Sequence, residues 1–390
     1  MHRGKEECAE ALKYAKTEKD ILAAQYVIEL IRAVLEDRKP QEKPQQIDWN
    51  DIFRMTQKHN LQCMIYDGVV RTAGLPEQTI MEKWTKSVRL CSMQSIMQQE
   101  ESVYIFGKLK QREIRVLPLK GYFMKELYPK PEYRQMGDLD ILIDQDNRGK
   151  VQEAMQNMGY ILEKSGSEDT VDVYQKAPWI CVEVHNELLS YHHKNHNQYR
   201  NIWEKACEKN GIYQMSWDDY YIFMIEHFAK HFYISGCGIR FLLDVYIFLE
   251  KKGTDLHPEY LKEQFRVRKL EDFRQKMEKL AYQWFGKEGR TGDTEEECTI
   301  LLSGVFGNLQ NYYRNMQKEI YQKYKIAWLV KPIYIWKRIF VPYYEMCEKY
   351  PVLEKWPVLL PAAWMFRLFR TLLTQRKRFF REYQTIRGEK

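Results

Sequence analysis

Residues 119–144, LKGYFMKELYPKPEYRQMGDLDILID, decide how the rest of this 390-residue chain is read. The stretch ends in two aspartates, Asp138 and Asp140, one residue apart and followed by an apolar run of β type. On a strand, residues i and i+2 share a face about 7 Å apart, so both carboxylates project from one patch while Leu139, Ile141 and Ile143 face the other way. Like charges held that close raise one another's pKa unless a cation separates them. Oxygen ligands of this kind suit Mg²⁺, which takes one or two carboxylates and fills its other positions with water and phosphate oxygens. The chemistry suggested is transfer of a phosphorus-centred group from a nucleotide. An Asp-x-Asp pair by itself is common, and only its setting makes it informative.

That setting begins with IRVLPLKG, a short strand from Ile114 to Leu119 running into Lys120 and Gly121, then a helical segment from Tyr122 to Leu127. Glycine at such a junction allows close backbone approach to phosphate, and helix N-termini offer unpaired N–H groups. Lys120 adds a point charge, and the planar fork of Arg134 suits phosphate oxygens; for both, the alternative is a solvated loop charge. A third acid is expected for metal-assisted chemistry. In APWICVEVHNELL the residues Cys181, Glu183 and His185 alternate with Ile180, Val182 and Val184, the period of a strand. A carboxylate between two valines needs a partner, and a metal shared with Asp138 and Asp140 would serve; the alternative is an edge-strand glutamate facing water. His185 shares the Glu183 face, where it would touch phosphate, orient a ligand, or act as a hydrogen-bonded scaffold.

Together LKG, YPKPEYR, GDLDILI and VEVHNEL resemble the uncharacterised nucleotidyltransferase family of the DNA polymerase β-type superfamily. The resemblance implies an α+β fold: a small mixed β-sheet flanked by helices, with mainly helical N-terminal and C-terminal regions. It further implies that Asp138, Asp140 and Glu183 are the acids that hold divalent metal, Mg²⁺ or Mn²⁺, and act in catalysis. Gly121 matches the glycine that precedes them, and Lys120 and Arg134 match basic positions; with His185 these form the expected nucleotide-binding set. One departure stands out. Tyr122 follows Gly121 where the wider superfamily has a serine, so a phosphate-touching hydroxyl is absent and Lys120 is its substitute. The motifs cover roughly residues 115–190, and EHFAKHF…GIRFLLDVY (Glu226 to Tyr246) and the segment Trp49 to His59 extend the match.

Composition narrows the class. Eight scattered cysteines show no Cys-x-x-Cys or zinc spacing, which points to a reducing cytoplasm. No run approaches the ~18 consecutive apolar residues of a membrane span. The net charge of +7 is concentrated at one end, since residues 331–390 hold 13 Lys/Arg against 5 Asp/Glu. From Ala362 to Tyr383 apolar residues recur at helical spacing among Arg367, Arg370, Arg376, Lys377, Arg378 and Arg381. A basic amphipathic helix of this kind packs on a domain with its charges in water, lies on an anionic membrane surface, or holds RNA; DNA is not expected.

Along the chain, Thr17 and Asp20 suggest a capping box for a helix over Glu18–Asp37, and RKPQEKPQQ (38–46) reads as a linker. Helices are expected over Trp49–His59 and Ile80–Gln111. Asn147 would cap a helix burying Val151, Ala154, Met155 and Met158 and stopped by Gly159. Strands are expected over Tyr160–Glu163 and Thr170–Gln175, and a helix pair over Trp217–Tyr233 and Arg240–Lys251. His227 and His231, i and i+4, have zinc-compatible spacing but lack a third ligand, so packing or hydrogen bonding to the sheet domain is the simpler role. Arg240 and Asp244 suggest a helical ion pair, and the resemblance leaves open that His227, His231 and Asp244 border the active cleft. His192, His193 and His196 read as solvated loop side chains. Four regions follow: 1–100 helical, 101–200 the catalytic core, 201–330 a helical domain lining the cleft, and 331–390 a basic aromatic tail.

The function expected is transfer of a nucleoside monophosphate from an NTP, ATP included, to an acceptor hydroxyl with release of pyrophosphate. The acceptor would be a small molecule, a protein, a lipid-linked sugar or RNA. The alternatives are a nucleotide-binding or regulatory protein without turnover, and a membrane-surface assembly factor acting through the tail. The location expected is the cytoplasm, with peripheral membrane contact through residues 331–390.

Overall fold

Strand β2 (Leu139–Ile143) is buried along its whole length, because helices cover both faces of the sheet it belongs to. The computed structural model describes residues 2–165, 171–189, 195–287, 292, 294–374 and 376. The sheet has five strands in the order β1-β2-β5-β4-β3, with β1 at Val116–Pro118, β3 at Ile161–Lys164, β4 at Asp172–Lys176 and β5 at Ile180–His185. Only β2 and β5 are parallel; the other pairs are antiparallel. A mixed α+β architecture follows, as the sequence predicts.

Alternation in β2 and β5 sorts residues between two cores. Leu139, Ile141, Ile143, Val182 and Val184 pack against α4 (Gln78–Lys110) and α6 (Arg148–Asn157). Leu142 turns the opposite way, into a larger core built from α1 (His2–Leu35), α2 (Trp49–Lys58), α3 (Gln62–Val69), α8 (Trp217–Ser235), α9 (Ile239–Lys252), α10 (Pro258–Arg268), α11 (Glu271–Phe285) and α12 (Glu295–Ser303). Helix α4, about 50 Å long at 1.5 Å per residue, serves both: Ile80 and Trp84 enter the helical core and Ile105, Phe106 and Leu109 the sheet core. Between strands and bundle lie α5 (Gly121–Lys125), α7 (Ile202–Lys205) and a hairpin, β6 (Cys207–Lys209) with β7 (Ile212–Gln214). Asn210 and Gly211, both at positive φ, form the two-residue turn this hairpin requires. The sequence reading passed over that Asn-Gly signal. Helices α13 (Leu309–Tyr324), α14 (Val330–Ile339), α15 (Tyr343–Lys349), α16 (Val352–Lys355) and α17 (Leu360–Thr374) follow, and among the described residues no helix is long and apolar enough to cross a membrane.

Several local expectations need correction. Helix α1 begins at His2, not Glu18, because the upstream Glu, Ala and Lys residues are good helix formers; Thr17 therefore lies in the helix interior rather than at its N-cap. Asn147 occupies the N-cap position of α6 without a side-chain cap bond, and the helix starts from a 3₁₀ turn instead. Gly159, at φ 82°, does end it. The 38–46 segment is tied down: Glu29 of α1 accepts from Arg38 Nη1 at 2.6 Å and from the Gln41 N–H at 2.9 Å. Arg240 and Asp244 form no ion pair among the described contacts, since Asp244 is taken by Arg134. The expected strand from Thr170 begins at Asp172; Thr170, His192, His193, Lys377, Arg378 and Arg381 lie outside the described residues.

His59, wholly buried at the end of α2, holds the bundle's upper end together. Its Nδ1 accepts from the Ile239 N–H at 3.0 Å and its Nε2–H donates to the Leu301 carbonyl at 3.1 Å. Gly238 makes the approach possible, as a Cβ there would stand 2.6 Å from His59 Nδ1 and 2.8 Å from the Gly304 backbone. Burial, aided by Lys58, depresses the imidazole to about 3. The unfolded chain therefore binds a proton near pH 6.5 that the folded chain refuses, so this stabilisation is present above that pH and is lost as pH falls. The expected loss is about 1.4 kcal/mol per pH unit. In His59→Asn that component of the slope should vanish, while stability at pH 7.5 drops by about 1–3 kcal/mol if the Ile239 N–H loses its acceptor. Urea denaturation of both proteins at pH 7.5, 6, 5 and 4 checks this, and equal slopes would refute it.

Candidate active site

Parallel pairing of β2 with β5 sets Asp140 opposite Glu183 and Leu142 opposite His185. The pleat then carries the side chains of Asp140, Glu183 and His185 to the sheet face that looks toward the helical bundle. Donor atoms of these three lie within 4.8 Å of one another. Asp138 sits in the bend just before β2 rather than on the strand. It lines the same cavity, but the tight cluster contains His185 where Asp138 was expected. The reason is register: His185 follows Glu183 by one full pleat period.

All seven residues singled out from sequence (Lys120, Gly121, Arg134, Asp138, Asp140, Glu183, His185) line one cavity of about 430 Å³. Lys120 Nζ lies 2.5 Å from Asp140 Oδ1, and His185 Nε2 lies 2.9 Å from the same oxygen. His185 thus rests on the acid cluster, 3.8 Å from Glu183 Oε2. Burial opposes the charge on Asp140, but the His185 hydrogen bond and the Lys120 ammonium outweigh it and hold the carboxyl well below the usual range. Lys120 is raised in turn, its burial outweighed by Asp140. For Glu183 the balance is reversed: burial, then the charges of Asp140 and Asp138, outweigh the Lys120 ammonium and push it up to about 7. Asp138 is also raised, by burial and by Asp140. An anionic cluster with two carboxylates short of positive charge, plus an imidazole nitrogen, fits a hard divalent cation.

The backbone around Lys120 is strained. At φ 44° and ψ −112° this lysine adopts a conformation L-residues rarely visit. It is held there by Tyr220, whose hydroxyl donates to the Lys120 carbonyl, and by the Leu119 N–H, which donates to the Asp140 carbonyl at 2.9 Å. Such strain, of order 1–3 kcal/mol, gathers at functional sites. Gly121 is buried, and a Cβ there would meet the Met136 sulfur at 2.8 Å, so close packing is one reason for glycine. Tyr122 packs against the opposite core, on Phe106, and does not reach the cavity.

Arg134 is buried rather than a solvated loop charge. Its Nε donates to Asp244 of α9 at 2.8 and 3.1 Å, and Tyr128 OH donates to the same carboxylate at 2.7 Å. Arg240 Nη1 donates to the Gln135 carbonyl at 2.8 Å and Gln98 of α4 donates to that of Met136 at 3.1 Å. Burial and the Arg134 charge bring Arg240 down to about 10. The loop leading to Asp138 is thereby clamped from two sides.

The opposite wall comes from α8 and α9. His227, Lys230 and His231 face the acid cluster across the cavity. His231 is lowered to about 4, by burial and then by Lys230 and Lys120, and His227 is lowered further, so both imidazoles are neutral at pH 7. Their rings meet edge to face at 4.4 Å, and both pack on Phe241, in keeping with the packing role read from sequence. The sequence reading missed Phe306. It lines the cavity, is 82% exposed, and sits in a turn between α12 and α13. Gly304 and Gly307, at φ 75° and 69°, flank it, and the Val305 and Asn308 N–H groups bond to Lys58 and Ser235 carbonyls at 3.0 and 2.9 Å. The only sequence signal was the spacing of those two glycines.

Residues 45–286 match the family described as "Uncharacterised nucleotidyltransferase". No curated protein and no solved structure matches the chain.

The raised Glu183 value has a measurable consequence. Its folded pKa, about 7, exceeds the ordinary 4.5, so ionised Glu183 costs stability and the fold weakens as pH rises from 4.5 through 7. In metal-free buffer at pH 8, Glu183→Gln should melt above wild type. Added Mg²⁺ should raise the wild-type melting temperature and leave the variant's nearly unchanged. A wild type indifferent to divalent cations, with a variant that melts lower, would remove the cation reading.

Proposed function

Because the chain belongs to the uncharacterised nucleotidyltransferase family, we propose that it transfers a nucleoside monophosphate from an NTP to an acceptor hydroxyl in the cytoplasm. The observation that carries this reading is the pairing of Asp140 with Glu183 on parallel strands, facing a cavity that also holds Asp138, His185 and two or more basic groups. The acceptor oxygen attacks the α-phosphorus, the bond to the β-phosphate oxygen breaks, and pyrophosphate leaves. Asp140 and Glu183, with Asp138 or His185, would hold Mg²⁺ or Mn²⁺. When bound, the ion supplies positive charge to the transferring phosphate.

The remaining work falls to the chain's own side chains. Glu183 or Asp140 would take the acceptor's proton. Lys120, which here pairs with Asp140, would bind the triphosphate, and Lys230 would add charge from the facing wall. Arg134 and Arg240, held by Asp244 and Gln135, keep the loop in place and contribute positive potential. The nucleobase stacks on Phe306, the most exposed aromatic of the cavity, which suits every base because each has a π-face.

Two observations favour a second reading, an NTP-binding protein without turnover: Lys120 already pairs with Asp140, and Tyr122, turned away from the cavity, stands where a serine would touch phosphate. Incubation with each labelled NTP and Mg²⁺ or Mn²⁺, alone and with cell extract, separates the two. Label on protein, RNA, lipid or small molecules names the acceptor class, while binding without product supports the second reading.

Asp138→Asn and Asp140→Asn should each abolish divalent-dependent transfer and leave the fold intact. Transfer at the wild-type rate by either would refute the assignment of these acids. Phe306→Ala should weaken NTP binding by roughly 5- to 150-fold, from stacking of about 1–3 kcal/mol, and leave inorganic tripolyphosphate binding unchanged. Titration of both ligands into both proteins by calorimetry decides it; equal NTP affinities would remove Phe306 from the site.

A further inference from the structure

Helix α17 docks through one side, which carries Leu360, Ala363, Trp364 and Arg367, and turns a second, apolar side to water. Arg367 donates to the Arg338 and Ile339 carbonyls at the end of α14, and Trp364 Nε1 donates to the Val341 carbonyl at 2.8 Å. Leu360, Ala363 and Trp364 pack on the small core of Val341, Met346, Cys347 and Leu353. With that side engaged, Met365, Phe366, Phe369 and Leu373 form a stripe at helical spacing that is at least 60% exposed throughout. In the preceding helices and turns Trp336, Trp356 and Val358 are exposed as well, by 63, 62 and 79%. An apolar surface this extended marks an interaction site.

Charge identifies what covers it. Residues 331–390 hold 13 Lys/Arg against 5 Asp/Glu, while the remainder of the chain is close to neutral. Tryptophans beside lysines and arginines match the membrane–water interface, where indole rings lie at headgroup level. A C-terminal sequence that pairs an exposed apolar stripe with an excess of Lys and Arg has the composition of a helix lying in that plane. RNA would use the aromatic rings and arginines, but Val358, Met365 and Leu373 offer it no π-face to stack on. We propose that residues 328–374 dock the protein onto an anionic lipid surface, with the α17 stripe and Trp336 and Trp356 entering the headgroup region. The docking is peripheral, since no described helix is able to span a bilayer. It is independent of the nucleotidyl-transfer reading and survives its failure.

The test floats the full-length protein with vesicles of phosphatidylcholine alone and of phosphatidylcholine with phosphatidylglycerol. The wild type should rise with the anionic vesicles, with a blue shift in tryptophan emission, and be released by high salt, because each Lys or Arg near such a surface contributes roughly fivefold to partitioning. The triple variant Trp356→Ser, Phe366→Ser, Phe369→Ser changes only exposed side chains and should keep the wild-type circular dichroism. Its partitioning should fall on the order of tenfold or more. Wild-type protein left at the bottom with anionic vesicles would overturn the proposal, as would a triple variant that floats equally well. RNA binding lost in the triple variant, without vesicle binding, would assign the surface to nucleic acid and overturn it too.

Discussion

The buried contact of Arg134 with Asp244 is the constraint on which the cavity depends. Arg134 belongs to the loop that delivers Asp138 and Asp140, and Asp244 belongs to the helix that forms the facing wall. Tyr128 satisfies the same carboxylate, and Arg240 of the same helix holds the loop through the Gln135 carbonyl. A buried pair of this kind is weak evidence for stability in itself, but breaking it strands a charge at a cost of about 3–5 kcal/mol. Its use here is geometric. It fixes the distance between a sheet that carries acids and a bundle that carries bases, so that a polar cavity persists between two apolar cores. The Tyr133 hydroxyl and Lys130, both on Asp67 of α3, extend the clamp to the N-terminal helices.

Within that frame the site holds opposed charges in an order that a ligand would rearrange. Three carboxylates project into one space, and Asp140 is the one in direct contact with both Lys120 and His185. The strained backbone at Lys120 is maintained by the hydrogen bond from Tyr220, a residue of α8, so the bundle imposes the conformation that aims the lysine at the acids. The same bundle turns neutral imidazoles and an exposed phenylalanine toward the cavity. The sheet thus supplies the anionic half of the site, and the helices supply its shape, its aromatic surface and the restraint on its loops.

Much of this was legible in the order of residues, because strand periodicity acts at short range. Alternation around Leu139–Ile143 and Ile180–His185 separates core side chains from cavity side chains without reference to anything distant, and it brought Asp140, Glu183 and His185 to one face. The Gly159 stop and the helix pair around Gly236 and Gly238 followed from local backbone preferences. Local signals misled where a stronger preference overrode them. Thr17 lies inside a helix whose upstream residues favour continuation, and Asn147 gave way to a 3₁₀ turn.

What the sequence determined by itself was the fold class, the acids and their common face, and a basic, aromatic C-terminal region. Which charges pair was decided by tertiary structure alone. Arg240 and Asp244 are one helical turn apart, yet Asp244 binds Arg134, 110 residues away in the chain. Phe306 reaches the cavity from a turn held by backbone carbonyls of α2 and α8, and His59 joins three helices through two such bonds. Pairings of this kind have no period along the chain. They depend on where two packed layers stop approaching each other, which is set by the side chains of both.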